Sequence, residues 1–106
     1  MTVRVEANIA FRAYQNQDGV WTAVCDPLGL TVEGESWTEL WQSVDESLNI
    51  MLRDLLKNHE LPAFLRARGW NMLRHEPIKP TSRVRFDVPF RVTPVEADES
   101  GQRVYS

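Results

Sequence analysis

Residues 36–57 read SWTELWQSVDESLNIMLRDLLK, and this stretch, led into by residues 19–35, organises the chain. Ser36 and Glu39 form an S-x-x-E capping box, in which each side chain satisfies a free backbone N–H of the other residue. At about 100° per residue, the apolar side chains that follow fall within one arc of roughly 120°. They are Trp37, Leu40, Trp41, Val44, Leu48, Met51, Leu52 and Leu55. The pattern predicts a helix of about five turns with one buried face, and it places the polar residues, Asn49 among them, on the other side.

Ile50 is the exception to this pattern, because it lies about 140° from the centre of the apolar arc. We therefore expect an exposed isoleucine on the polar side of the helix. A single exposed apolar residue is ordinary on a monomer, and it is also a candidate for a subunit contact.

Alternating apolar and polar residues predict strands on both sides of the helix. Residues 3–13 indicate one long strand, residues 20–25 return antiparallel through the Asp18-Gly19 turn, and residues 30–33 form a short third strand. After the helix we expect a short second helix over residues 63–68, with Pro62 at its start and Gly69 as its C-terminal cap. A fourth strand or loop over 70–74, a connector over 76–82 and a fifth strand over 83–92 follow. Pro89 cannot donate a ladder hydrogen bond, so the fifth strand is predicted to lie at a sheet edge or to have this backbone position facing outward.

These elements predict an α+β fold: an antiparallel sheet in the order β-β-β-α-(α)-β-β, with one long helix packed on one face. The length of 106 residues predicts a single domain, which we place at residues 1–94. Residues 95–106 are polar, lack a core pattern, and are predicted to form a disordered C-terminal tail.

The composition is that of an ordinary water-soluble protein, with 42% apolar and 25% charged residues. One cysteine, Cys25, excludes an internal disulfide, and the absence of a signal peptide or long apolar run predicts a cytoplasmic protein with no membrane segment. Cys25, His59 and His75 lack the spacing of zinc ligands, so we expect no metal and no cofactor.

The net charge of −3 conceals two opposed regions. Residues 16–60 contain nine acidic and two basic residues, whereas residues 66–91 contain seven basic and two acidic ones. One region is suited to a basic partner and the other to an acidic one, unless the two neutralise each other within the fold.

Residues 18–29, DGVWTAVCDPLG, followed by residues 32–40, VEGESWTEL, resemble the HicB-type antitoxin domain. In that family a strand ending near a Pro/Leu/Gly turn precedes an E-G-[DE]-[ST] helix start. The resemblance covers about residues 3–57. The order DPLGL at residues 26–30 departs from the more usual P-D-L-P-G-C, which changes the turn and not the strands.

The resemblance implies a partial ribonuclease H fold and a non-catalytic role as the inhibitor of a small basic, mRNA-cleaving, HicA-like toxin. Separately from the resemblance, we expect a homodimer or higher homo-oligomer. Family members often add a helix-turn-helix or ribbon-helix-helix segment that binds their operator DNA. The residues after Arg68 predict no such segment, so DNA binding is not expected from this chain.

Catalysis has few candidate residues in this sequence. A Mg²⁺ site would need several carboxylates, and three lie close together in the sequence: Asp26, Glu33 and Glu35. Glu33 and Glu35, however, lie just before the predicted helix, where acidic side chains interact favourably with the helix dipole. Cys25 follows a strand pattern beside an acidic neighbour, which raises a thiol pKa, so a core position is favoured over a nucleophile. Trp37 and Trp41 on the apolar helix face favour core packing over a ligand platform.

Two functions from different classes remain open. The first is the antitoxin-like binding protein, which would use its acidic region. The second is a stand-alone oligomeric domain that binds nucleic acid or a small ligand through an outward row of arginines on the fifth strand, although arginines also protect an edge strand against aggregation. The candidate partner-binding residues are Glu33, Glu35, Asp45, Glu46, Ile50, Arg83, Arg85 and Arg91.

Overall fold

The structure, a computed structural model, describes residues 1–74, 78–79 and 83–96. These residues form an α+β fold of strands, two helices and one 3-10 turn, Asp26–Leu28. In chain order the other elements are β1 (Thr2–Glu6), β2 (Ala10–Gln15), β3 (Trp21–Cys25), β4 (Leu30–Gly34), α1 (Trp37–Lys57), α2 (Leu61–Arg68), β5 (Asn71–Leu73), β6 (Arg85–Asp87) and β7 (Arg91–Pro94). The predicted α+β class and element order are confirmed, with the two longest predicted strands each divided in two.

The strands form two mixed sheets in place of the single antiparallel sheet that the sequence predicted. One sheet has the order β5-β1-β6, in which β1 is antiparallel to β5 and parallel to β6. The other has the order β4-β3-β2-β7, in which β2 and β7 are parallel and the remaining pairs are antiparallel. Strand direction depends on contacts between distant segments, so the local alternation of residues carries no information about it.

The predicted first strand divides between Glu6 and Ala10, where β1 ends and β2 begins in the other sheet. Its alternation continues through the break, since Val5, Ile9 and Phe11 are all buried. Because both halves bury the same set of positions, periodicity alone predicts one strand where the structure has two.

The predicted fifth strand divides in the same way, and Pro89 lies in the break between β6 and β7. Both strands are at the edge of their sheets, as expected for a segment that contains a residue without a backbone N–H. The edge position is confirmed, and the continuity of the strand was wrong.

The chain divides into two compact units. Unit 1 contains Met1–Asn8 and Leu48–Pro89, and therefore β1, β5, β6, α2 and the second half of α1. Unit 2 contains Ile9–Ser47 and the chain from Phe90, and therefore β2, β3, β4, β7 and the first half of α1.

Helix α1 begins where its capping pattern predicts, with the Ser36 half of the predicted capping box in place. The Ser36 hydroxyl oxygen accepts a hydrogen bond from the Glu39 backbone N–H at 3.1 Å. Every fourth residue from Leu40 is buried, and these residues are Leu40, Val44, Leu48, Leu52 and Leu56. Trp37, Trp41, Met51 and Leu55 are half-buried at the sides of this stripe, and Ile50 is 46% exposed, as its position predicted.

Asn49 is completely buried, although the sequence placed it on the polar side of α1. Its amide nitrogen donates to the Phe86 carbonyl oxygen at 3.0 Å, and its amide oxygen accepts from the Phe86 N–H at 2.6 Å. The side chain therefore acts as an extra strand partner for β6 in unit 1, and it satisfies backbone groups that burial would otherwise leave unpaired.

The predicted turns and caps are present. Gly19 has φ of +86° in the turn between β2 and β3, where the Asn16 side-chain oxygen accepts from two backbone N–H groups. The second helix starts two residues earlier than predicted, with Pro62 in its first turn, and ends at Gly69 in the left-handed conformation. The predicted connector at residues 76–82 and the predicted tail at residues 95–106 fall largely outside the described residues, as does His75.

Candidate functional site

The junction between β4 and α1 in unit 2 depends on a close approach at Gly34. A Cβ atom at this buried glycine would lie 2.5 Å from the Leu40 backbone nitrogen, so only glycine allows β4 to end against the first turn of the helix. The flanking Glu33 and Glu35 side chains are both exposed. The junction therefore presents two carboxylates beside a rigid helix start.

The other acidic candidates lie further along α1. Glu46 is exposed, and Asp45 is half-buried and interacts with other groups. At about 1.5 Å per residue, they lie roughly 12 Å or more along the helix axis from Trp37. Ile50 lies one turn beyond Glu46, in the half of α1 that belongs to unit 1.

The three candidate arginines are exposed, but they do not form one row on one strand. Arg83 and Arg85 lie in unit 1, just before and at the start of the edge strand β6. Arg91 starts β7 in unit 2, where its backbone N–H donates to the Ile9 carbonyl oxygen at 2.9 Å. The break at Pro89 therefore separates two of these arginines from the third along the chain.

The charge division predicted from the sequence is also a division between the two units. Among the described residues of unit 1 there are nine Lys and Arg against four Asp and Glu. Among the described residues of unit 2 there are two arginines against eight carboxylates. Of those two arginines, Arg12 bonds the Asp26 carboxylate. Unit 2 is the candidate surface for a cationic partner.

Aromatic rings form a continuous cluster in unit 2. Trp21 meets Trp37 with ring centres 4.9 Å apart, Trp37 meets Trp41 at 6.3 Å, and Trp41 meets Phe90 at 4.8 Å. These four rings are all half-buried, so the two helix tryptophans are packed as predicted but not fully enclosed. Among the described residues, the buried indole N–H of Trp41 has no hydrogen-bond acceptor.

A surface depression of about 530 Å³ lies beside this cluster, and sequence reasoning missed it. We call it the Trp21 pocket, and it is lined by Gln15, Trp21, Pro94, Val95 and Glu96. Because β2 and β7 are parallel, the residues that directly follow β7 lie near the end of β2 and the turn to β3. There the Val95 N–H donates to the Ala13 carbonyl oxygen at 2.7 Å. The aromatic and acidic residues were visible in the sequence, but nothing local predicts that Glu96 lies beside Trp21.

Cys25 ends β3 and is buried, as predicted. Burial raises the pKa of its thiol, and the Asp26 carboxylate raises it further. His59 is exposed in the turn after α1 with φ of +59°. Across the part of the chain that the structure describes, no group of three or more His, Cys, Asp or Glu residues is placed to hold a metal ion.

No helix in residues 1–74, 78–79 and 83–96 has both the length and the apolar character needed to cross a membrane. Comparison with models of protein families, with curated proteins and with solved structures finds no match to this chain. The resemblance to HicB-type antitoxins therefore stays a prediction from the sequence.

Proposed function

We propose that this chain is a non-catalytic binding protein of the HicB-like antitoxin type, which neutralises a small basic mRNA-cleaving protein similar to HicA toxins. The observation that carries the proposal is the concentration of carboxylates in unit 2, where eight acidic residues, all but Asp45 exposed, stand against two arginines among the described residues. Such a surface attracts a basic protein and speeds its association.

The edge strand β4 supports the same proposal. Among the described strands, β4 pairs only with β3, so its outer side has backbone groups available for another strand. Glu33 is exposed on this strand, and Glu35 follows it directly. A partner strand that adds here would gain main-chain hydrogen bonds, and the carboxylates would select for a basic sequence.

The burial of Cys25 supports a non-catalytic role. A thiol nucleophile reacts as the thiolate, and burial together with Asp26 raises the pKa of Cys25 and disfavours that form. The most reactive side-chain type in the sequence therefore packs in the core of unit 2.

The test is to co-express the chain with its neighbouring genes, to capture any small basic protein that co-purifies with it, and then to assay mRNA cleavage by the complex. We expect a stable complex and loss of cleavage when the two chains are equimolar. Reversing three exposed charges in Glu33→Lys/Glu35→Lys/Glu46→Lys should weaken binding at low salt by about tenfold or more. The matched control, Glu6→Lys/Asp54→Lys/Glu60→Lys, makes the same charge change at exposed residues of unit 1.

The control should bind nearly as well as the unchanged protein. Equal losses from both triple variants would show that net charge and not unit 2 determines binding. A basic partner that is captured but keeps its nuclease activity would contradict the proposed neutralisation, and failure to capture any neighbouring basic protein would contradict the proposal as a whole.

The second candidate function is an oligomeric domain that binds nucleic acid through unit 1. It is favoured by the nine basic residues described in that unit and by the exposure of Arg83 and Arg85 at the sheet edge. Binding to single-stranded RNA that weakens with salt, and that is lost in Arg83→Ala/Arg85→Ala but kept in Arg91→Ala, would establish it.

The proposed homo-oligomer has a separate test. Ile50 is exposed on α1 and is the candidate subunit contact. If it lies in a subunit interface, Ile50→Lys should shift the mass measured by analytical ultracentrifugation toward the monomer. An unchanged mass in Ile50→Lys would show that Ile50 does not lie in a subunit interface.

A further inference from the structure

The Trp21 pocket combines three kinds of group on one face of the sheet in unit 2. Gln15 and Trp21 are directly paired residues of β2 and β3, so their side chains lie on the same face. Pro94 pairs with Ala13, and Ala13 and Gln15 share that face because side chains alternate along a strand. Glu96, which is exposed, completes the lining with a carboxylate.

The walls of the pocket are held in place by the structure around them. Trp21 packs edge-to-face with Trp37 at 4.9 Å and is half-buried, so part of its ring remains accessible. The Gln15 amide nitrogen donates to the Gly19 carbonyl oxygen at 3.0 Å. This bond orients the side chain and leaves its amide oxygen as a hydrogen-bond acceptor. The Val95 N–H bond to Ala13 fixes the chain immediately before Glu96.

The chemistry of these groups selects a cation. An indole ring attracts a positive charge, a carboxylate pairs with it, and an amide oxygen accepts from its N–H groups. Among the described residues, the lining contains no Lys or Arg and unit 2 carries a large excess of carboxylates, so an anion is disfavoured. A planar guanidinium can stack flat on the indole while two of its N–H groups bond the carboxylate, whereas an ammonium is a point charge that can attract both groups but cannot stack.

We propose that the Trp21 pocket binds the guanidinium group of an arginine side chain, stacked on Trp21 and paired with Glu96. The source of that arginine is the basic partner, an assignment that rests on the proposed function. The pocket itself is defined by its lining and can be tested without the partner.

The experiment titrates the purified chain with N-acetyl-arginine amide and follows the indole ¹H–¹⁵N signals by NMR, with Trp21→Phe used to assign the Trp21 signal. We expect a saturable shift of the Trp21 signal. Glu96→Gln should weaken binding about threefold, the effect of losing one exposed ion pair. The matched control Glu39→Gln removes the same charge from an exposed residue of unit 2 outside the pocket and should leave the affinity unchanged.

Two further probes test whether the charge and the planar shape of the guanidinium are both required. N-acetyl-citrulline amide, which has the shape of the arginine probe without its charge, should not bind, and N-acetyl-lysine amide should bind more weakly. Absence of a saturable shift, equal effects of Glu96→Gln and Glu39→Gln, or equal affinity for the arginine and either other probe would overturn the proposal.

The outcome for the pocket is distinguishable from that for the proposed function. Binding of the arginine probe without capture of a basic partner would keep the pocket and reject the antitoxin role. Capture of the partner without binding of the probe would keep the role and reject the pocket.

Discussion

The two compact units stabilise their interiors by different means. Unit 1 buries a polar side chain, Asn49, which pairs with both backbone groups of Phe86. Unit 2 relies on a close backbone approach at Gly34 and on a cluster of aromatic rings that includes Trp37 and Trp41. The first kind of interior depends on hydrogen bonds that must all be made, and the second depends on shape, so the two should respond differently to substitution.

The two units also differ in the charge of their surfaces. The described part of unit 1 is basic, and the described part of unit 2 is acidic. The small net charge of the chain therefore conceals two surfaces with opposite preferences for partners. The following substitutions test the comparison, and the largest expected effect comes first.

Gly34→Ala should have the largest effect on stability. The added Cβ would meet backbone atoms of Leu40 at 2.5 and 2.7 Å, and backbone cannot move aside as a flexible side chain can. We expect a loss of about 3 kcal/mol in the free energy of unfolding, measured by denaturant titration. Gly29→Ala is the control, since its φ is +64° but no atom lies within 4 Å, and it should cost only about 1 kcal/mol. Equal losses would show that β4 can shift away from α1.

Asn49→Leu should be the most damaging polar-to-apolar change in unit 1. It leaves the buried N–H and C=O of Phe86 without the two bonds that Asn49 makes, and we expect a loss of about 2 to 3 kcal/mol. Asn71→Leu, at an exposed position of β5, should change stability by less than about 0.5 kcal/mol. In hydrogen exchange, the Phe86 amide should lose protection in Asn49→Leu, and unchanged protection there would contradict the role of this side chain.

Cys25 should make the stability of unit 2 depend on pH at the alkaline end. Burial raises the pKa of the folded thiol above its ordinary value, so the unfolded chain releases this proton first as the pH rises. The contribution is fully present below the ordinary thiol pKa and is lost as the pH rises through the folded value. Between about pH 7 and about pH 10, a range that spans the ordinary thiol pKa, the unchanged protein should lose more stability than Cys25→Ala. Parallel curves for the two proteins would contradict the shift.

Trp41→Phe should have the smallest effect of the four. It removes a buried indole N–H that lacks an acceptor among the described residues, while it keeps an aromatic ring beside Phe90. The gain from removing the unpaired donor offsets the lost packing, so stability should change by less than about 1 kcal/mol. Trp37→Phe, which alters contacts with two tryptophans, should cost more. A larger loss in Trp41→Phe would indicate that its N–H has an acceptor.

The local features of the fold were predictable from the residues. The Ser36 cap, the buried stripe of α1, the exposed Ile50, the β2–β3 turn and the Gly69 cap all depend on side chains a few positions apart. Four of the candidate partner-binding residues, Glu33, Glu35, Glu46 and Arg91, lie exposed in unit 2, but their exposure does not by itself identify a partner.

The candidate site was predictable in its charge and not in its geometry. The excess of carboxylates in residues 16–60 is a property of the sequence, whereas the Trp21 pocket joins residues 15, 21 and 94–96 through a parallel strand pair. Periodicity indicates that a residue is buried, but it does not identify the segment that packs against it. For the same reason it assigned Asn49 to the polar face, since its partner Phe86 lies 37 residues further along the chain.

The sequence by itself determined the α+β class, the long amphipathic helix and the opposition of acidic and basic regions, because caps, turns and hydrophobic stripes arise from interactions within a few residues. Only the tertiary structure decided that both long predicted strands divide between two mixed sheets, that Asn49 is buried, and that an aromatic ring and a carboxylate line one depression. These features depend on pairing between segments distant in sequence, and the free energy of such a pair belongs to both partners and is not visible in either one alone.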